Sequence, residues 1–132
     1  MTRPEMAVTP EAVGAGARPV AYGYICVQHE DEDVISELHD AVTAFAEREG
    51  LGLREIYVDR NVWPGQTVRP GLVVLLDAVA REETGCVVVV PITTHLSPAA
   101  RVREAVTVGI EQAGGRVVVV EEKNRGPRMT ED

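Results

Sequence analysis

The chain has 132 residues, 45% of them apolar but only 4% aromatic, enough for one domain whose core must come from Val, Leu, Ile and Ala. There are 21 Asp and Glu against 13 Lys and Arg, a formal net charge of −8. That sign opposes non-specific binding to nucleic acid, which rests on cations neutralising phosphates, though it leaves room for a local basic patch.

Residues 1–18 are rich in Pro, Gly and Ala and read as a flexible lead-in. "PVAYGYICV", 19–27, reads as a first strand. Residues 34–49 are helical: Ile35, Leu38, Val42 and Phe45 recur at helical spacing, with Ala41 and Ala46 flanking that face. Asp31 or Asp33 is the expected N-cap, and Gly50 closes the helix. "LREIYV", 53–58, is a second strand, followed by a Pro- and Gly-punctuated loop over 59–71. A second helix follows over 72–82, with Pro70 suited to its first turn because proline has no N–H to leave unpaired. The unbroken apolar run "CVVVVP", 86–91, fits a strand covered on both faces. Ser97-Pro98 then reads as a helix start, and a third helix runs to about Gly114 with Val102, Ala105, Val106 and Ile110 on its apolar face. "RVVVVE", 116–121, is a fourth strand, and 122–132 is a polar tail.

The order βαβαβαβ predicts an α/β domain over 19–121, with a mainly parallel four-stranded sheet and helices on both faces. Sites in such sheets form beyond the carboxyl ends of the strands, which puts the loops beginning at Gln28, Asp59 and Ile92 at the functional end. The acids of "QHEDED" read as a solvated helix N-terminus, where they meet the helix dipole favourably. No GxxxxGK[ST] or GxGxxG turn follows a strand, so no phosphate loop is expected. The two serines, Ser36 and Ser97, fall inside a helix and at an N-cap and make a poor nucleophile pair. Cys26 and Cys86 lie in separate strands without metal spacing and are expected to be reduced thiols in a cytoplasmic protein. No metal and no cofactor are expected. No apolar run approaches the ~20 residues that would span a membrane.

The segments "YGYICVQ", "AFAEREG", "IYVD", "VRPGL" and "VVVVPITTHLSP" occur in that order over roughly residues 20–121. In this order and spacing the chain resembles the catalytic domain of the serine recombinases, the resolvase/invertase family. Members typically read Y-x-R-V-S at the first strand, carry Asp at the end of the second, R-P-G-L before the next helix, and L-D-R-L-x-R after the third strand. The resemblance implies DNA strand cleavage and exchange through a covalent phosphoserine link. It also implies where this sequence departs from that activity. Gln28 stands at the position of the nucleophilic serine and Cys26 at that of a phosphate-binding arginine. Asp59 and Arg69 are retained, while Thr94, His95 and Pro98 replace the Asp and both arginines of L-D-R-L-x-R. Cations placed where charge develops carry phosphoryl transfer, so the loss of nucleophile and cations together implies a non-catalytic domain.

Cys26, Gln28, Asp59, Arg69 and His95 thus mark a vestigial pocket, in a domain expected to act by binding itself or another protein. Two other readings stay open: an enzyme of another class using Cys26, Asp59, Arg69 and His95, and an accessory DNA-recombination protein keeping phosphate contacts through Arg60 and Arg69. His95 reads as a solvated loop residue or a pocket acid/base. Trp63, the sole Trp, is either a binding anchor or folded over the base of its own loop.

Overall fold

A computed structural model describes residues 18–63, 66, 69–97 and 99–120. The expected tail over 122–132, the expected lead-in apart from Arg18, and Pro98 lie outside the described residues. The elements run β1 (Val20–Cys26), α1 (Glu32–Arg48), β2 (Gly52–Asp59), α2 (Pro70–Ala80), β3 (Cys86–Val90), one turn of 3-10 helix (Thr93–His95), α3 (Ala100–Gln112) and β4 (Gly115–Val119). The four strands form one sheet in the order β2-β1-β3-β4, and every pairing is parallel.

Alternation along the central strands sends their side chains to two layers. Tyr22, Tyr24, Val88 and Val90 meet Leu75 and Val79 of α2 and Ile110 of α3. Ala21, Val87 and Val89 meet Val42 and Phe45 of α1 on the other face. β3 is buried along its whole length, which is why its sequence is a run of Val rather than an alternation. Helices therefore cover both faces, as the βαβ order requires.

α1 starts where the sequence places its cap: the Asp31 carboxylate accepts from the N–H groups of Asp33 and Val34. It ends at Gly50, whose φ of +71° suits a residue without Cβ. Ile35, Val42, Phe45 and Ala46 are buried, but Ala41 is exposed. α3 departs further from expectation. Its N-cap is Ala99, without a side-chain cap, and Ser97 instead accepts from Ala99 N at 3.1 Å in the preceding turn. Val102 and Ala105 face solvent, while Val106 and Ile110 pack inward. At its first turn Arg103 donates to the Ser97 carbonyl at 3.0 Å, on the helix side that carries Val106 and Ile110 into the core.

Candidate functional site

β1 and β3 are neighbours although the chain visits β2 between them, so the strand order reverses at their carboxyl ends. A crevice at such a switch point is where doubly wound sheets bind ligands. The residues gathered there are Tyr24 and Cys26 from β1, Asp59 from the end of β2, Arg69 just before α2, and His95 with Leu96 from the turn after β3.

Asp59 is 5% exposed and accepts three hydrogen bonds: from the Tyr24 hydroxyl at 2.6 Å, from Gly71 N at 2.7 Å and from Leu72 N at 3.0 Å. It is thus the N-terminal cap of α2, supplied from a neighbouring strand. The helix's own N-cap, Arg69, makes no side-chain cap bond. A Cβ on Gly71 would come within 2.9 Å of Asp59 Oδ2, so only glycine lets the carboxylate reach both N–H groups.

Arg69 is also 5% exposed, and its guanidinium donates to the Leu96 carbonyl at 2.5 Å. It lies 4.0 Å from Cys26 Sγ. His95, at 6% exposure, is a buried residue and not the solvated loop histidine that its sequence context suggests. Its Nδ1 accepts the backbone N–H of Cys26 at 2.9 Å, closing the turn after β3 onto the end of β1. That bond requires an unprotonated Nδ1, and burial pushes the His95 pKa down to about 4.

These contacts define the chemistry. Burial, with the bond to Asp59, raises the Tyr24 hydroxyl far above the ordinary phenol range, so it stays a proton donor. Burial also raises the Cys26 thiol; the neighbouring Tyr24 hydroxyl and the Arg69 charge offset this only in part. A thiol shifted upward is a poor nucleophile at neutral pH, which counts against a Cys26-centred enzyme. Both carboxylate oxygens of Asp59 accept hydrogen bonds, and Arg69 is turned inward. Four of the five residues singled out from sequence therefore come together at the strand ends, with Cys26 opposite Asp59 in the sheet and bonded to His95 and Arg69. The fifth, Gln28, is exposed and, among the described residues, joined to none of them by a hydrogen bond. Thr94 is exposed as well.

Tyr24, Gly71 and Leu96 were not among the residues the sequence marked. A Tyr within an apolar strand demands a partner for its hydroxyl, and an uncapped R-P-G helix start demands a cap from elsewhere; both signals point to Asp59.

Around this pocket the acids of the first loop are spent on local structure. Arg60 holds Glu32 through two bonds, at 3.0 and 3.2 Å, Asn61 bonds Glu30, and His29 Nδ1 accepts from Asp31 N. Among the described residues, no three His, Cys, Asp or Glu side chains converge as metal ligands, and no helix is long and apolar enough to cross a membrane. Trp63 is 69% exposed.

No protein-family model matches the sequence, and no curated protein matches it. Solved structures do. The N-terminal catalytic domain of TP901-1 integrase aligns with a TM-score of 0.69 at 18% identity, covering 78% of this chain and 79% of that one. A resolvase family site-specific recombinase from Streptococcus pneumoniae gives 0.66 at 14% identity, over 80% and 74%. The C-terminal catalytic domain of ISC1926 TnpA, an IS607-like serine recombinase, gives 0.64 at 21% identity, over 76% and 70%. At these identities the likeness is one of architecture: the chain has the fold of a serine recombinase catalytic domain.

Proposed function

We propose that this chain is a non-catalytic resolvase-like domain that acts through protein interaction. One observation carries the reading: the pocket at the strand ends is closed upon itself. Arg69, the retained cation, is buried and committed to the Leu96 carbonyl, and Asp59 is committed to α2 and Tyr24. A phosphodiester would have to displace those bonds and would then meet Gln28, an amide that cannot form a phosphoester. Fold alone does not bring an activity with it.

Two alternatives draw less support. An enzyme built on Cys26 needs a thiolate, and burial raises that thiol. An accessory DNA role through Arg60 and Arg69 needs free cations, and these two are occupied by Glu32 and Leu96. The test is incubation with supercoiled plasmid, followed by denaturing gels. Neither nicked circles nor a covalent protein–DNA band is expected. A covalent band that disappears on Cys26→Ala or Gln28→Ala overturns the reading.

A further inference from the structure

The turn after β3 carries two bonds to the pocket on consecutive residues. His95 Nδ1 accepts the Cys26 N–H at 2.9 Å, and the Leu96 carbonyl accepts from Arg69 at 2.5 Å. The first bond fixes the turn to the end of β1. The second places a carbonyl on the guanidinium, which itself lies 4.0 Å from the Cys26 sulfur. Among the described residues no carboxylate pairs with Arg69, so its charge is buried against neutral groups. A buried cation served only by neutral acceptors gains solvation when its cover moves.

That cover is slight. It is one turn of 3-10 helix, closed by His95 N to the Ile92 carbonyl at 3.1 Å and Leu96 N to the Thr93 carbonyl at 2.9 Å. Such turns are short, with poorer hydrogen-bond geometry than an α-helix, and segments of this kind open locally at less cost than global unfolding. Thr93 and Thr94 are exposed on its outer side, while His95, Leu96 and Ser97 are buried beneath. Ser97 is held from the α3 side, where its carbonyl accepts from Arg103 at 3.0 Å, and this is the end on which the turn can pivot. From this arrangement we propose that Thr93–Ser97 is a latch over the strand-end pocket, and that protonation of His95 releases it and uncovers Cys26 and Arg69 together.

The trigger is set by the bond itself. Nδ1 must be bare to accept an N–H, whereas a protonated ring donates from both nitrogens and meets the Cys26 N–H donor to donor. Burial holds the ring neutral down to about pH 4 in the closed state, while a solvated imidazole titrates near 6.5. Protonation therefore favours the open turn as pH falls through that window, by about twentyfold between pH 7 and pH 5. The titratable and charged groups on the elements around His95 are Tyr24 and Cys26 of β1, Asp59 at the end of β2, Arg69 before α2 and Arg103 of α3. Arginine stays charged throughout, and the Tyr24 hydroxyl and Cys26 thiol are both raised by burial, so none of these four changes charge between pH 7 and pH 5. Asp59 is separated from His95 by the variant below.

Amide hydrogen exchange of the full chain reads the latch at the Cys26 N–H. Taken relative to the intrinsic rate at each pH, this amide should be less protected than the core amides of β3 and should lose about twentyfold in protection from pH 7 to pH 5. A pyridyl disulfide, which reacts with thiols at acid pH, should label Cys26 faster at pH 5 than at pH 7, relative to a free cysteine peptide at the same pH. Cys86, buried at the opposite end of the sheet, should show no such change. His95→Asn keeps an acceptor for the Cys26 N–H but does not titrate, so both pH responses should vanish in it. Asp59 and His29 are intact in that variant, and a response that survives there places the trigger elsewhere and overturns the proposal. Two results in the wild-type chain overturn it without any variant: a Cys26 amide that exchanges only together with β3 at every pH, and lost protection with no faster labelling. Plasmid nicking is a separate readout: a turn that stays shut leaves a non-catalytic domain, and a chain that nicks DNA leaves the latch.

Discussion

Asp59→Ala is the most informative perturbation, because it separates a structural carboxylate from a chemical one. In the native protein this side chain satisfies the Tyr24 hydroxyl and the N–H groups of Gly71 and Leu72. Alanine leaves all three donors without a partner in a site where Asp59 itself is 5% exposed. An orphaned buried donor costs about 1–3 kcal/mol, and loss of a helix N-cap alone costs about 1 kcal/mol. Water reaches part of the vacated space, so the sum falls at roughly 3–5 kcal/mol. That is a large share of the ~5–15 kcal/mol that stabilises a domain of ordinary size. Urea unfolding followed by circular dichroism measures it directly: with a slope of about 1–3 kcal/mol per molar urea, the midpoint should fall by ~2 M. Asp59→Asn keeps one acceptor oxygen and should lose about 1–2 kcal/mol. If Asp59→Ala unfolds within about 1 kcal/mol of the wild type, the capping role assigned to Asp59 is wrong.

Other predictions concern the same network. Gly71→Ala should destabilise by about 1–3 kcal/mol in the same assay, since its methyl group would sit within 2.9 Å of a carboxylate pinned by three bonds. His95 is held neutral in the fold, with a pKa lowered from 6.5 to about 4, so the unfolded chain binds more protons between those values. Its contribution is therefore complete above pH 6.5 and lost as pH falls toward 4, about 3 kcal/mol in all. His95→Asn, which can still accept the Cys26 N–H, should flatten that part of the stability–pH curve. Iodoacetamide should alkylate Cys26 more slowly than a free cysteine peptide at neutral pH, because burial raises its thiol; a fast reaction would reopen the Cys26 enzyme. Trp63→Ala should leave the unfolding free energy within about 0.5 kcal/mol of wild type, because the side chain is 69% exposed.

The fold is largely legible in the sequence, because each element carries its own signal. The Val run of β3 marks a strand covered twice, the spacing of Ile35, Val42 and Phe45 marks one helical face, and Pro70 marks the first turn of α2. α3 resisted because its apolar residues do not all share one face: Val102 and Ala105 are exposed while Val106 and Ile110 pack inward, beside a polar contact from Arg103 to Ser97. The site was half readable. Its positions follow from the order of elements, and Asp59, Arg69, Cys26 and His95 do meet. What they do there depends on partners far along the chain. His95 bonds a backbone N–H 69 residues away, and Asp59 is joined to Tyr24 across 35. "ITTHLSP" contains no pattern that distinguishes a buried histidine from a solvated one. Only the packing of that turn against β1 decides it.

The most direct measurement is duplex-DNA binding by fluorescence anisotropy at low and moderate salt. Phosphate contacts are strongest where screening is weakest, and their loss with salt grows with the number of cations engaged. A pocket whose arginine is turned inward, on a chain of net charge −8, predicts no binding even at low salt. Binding that is tight at low salt and falls steeply as salt rises would contradict it, and would show that the cations of this fold still reach DNA.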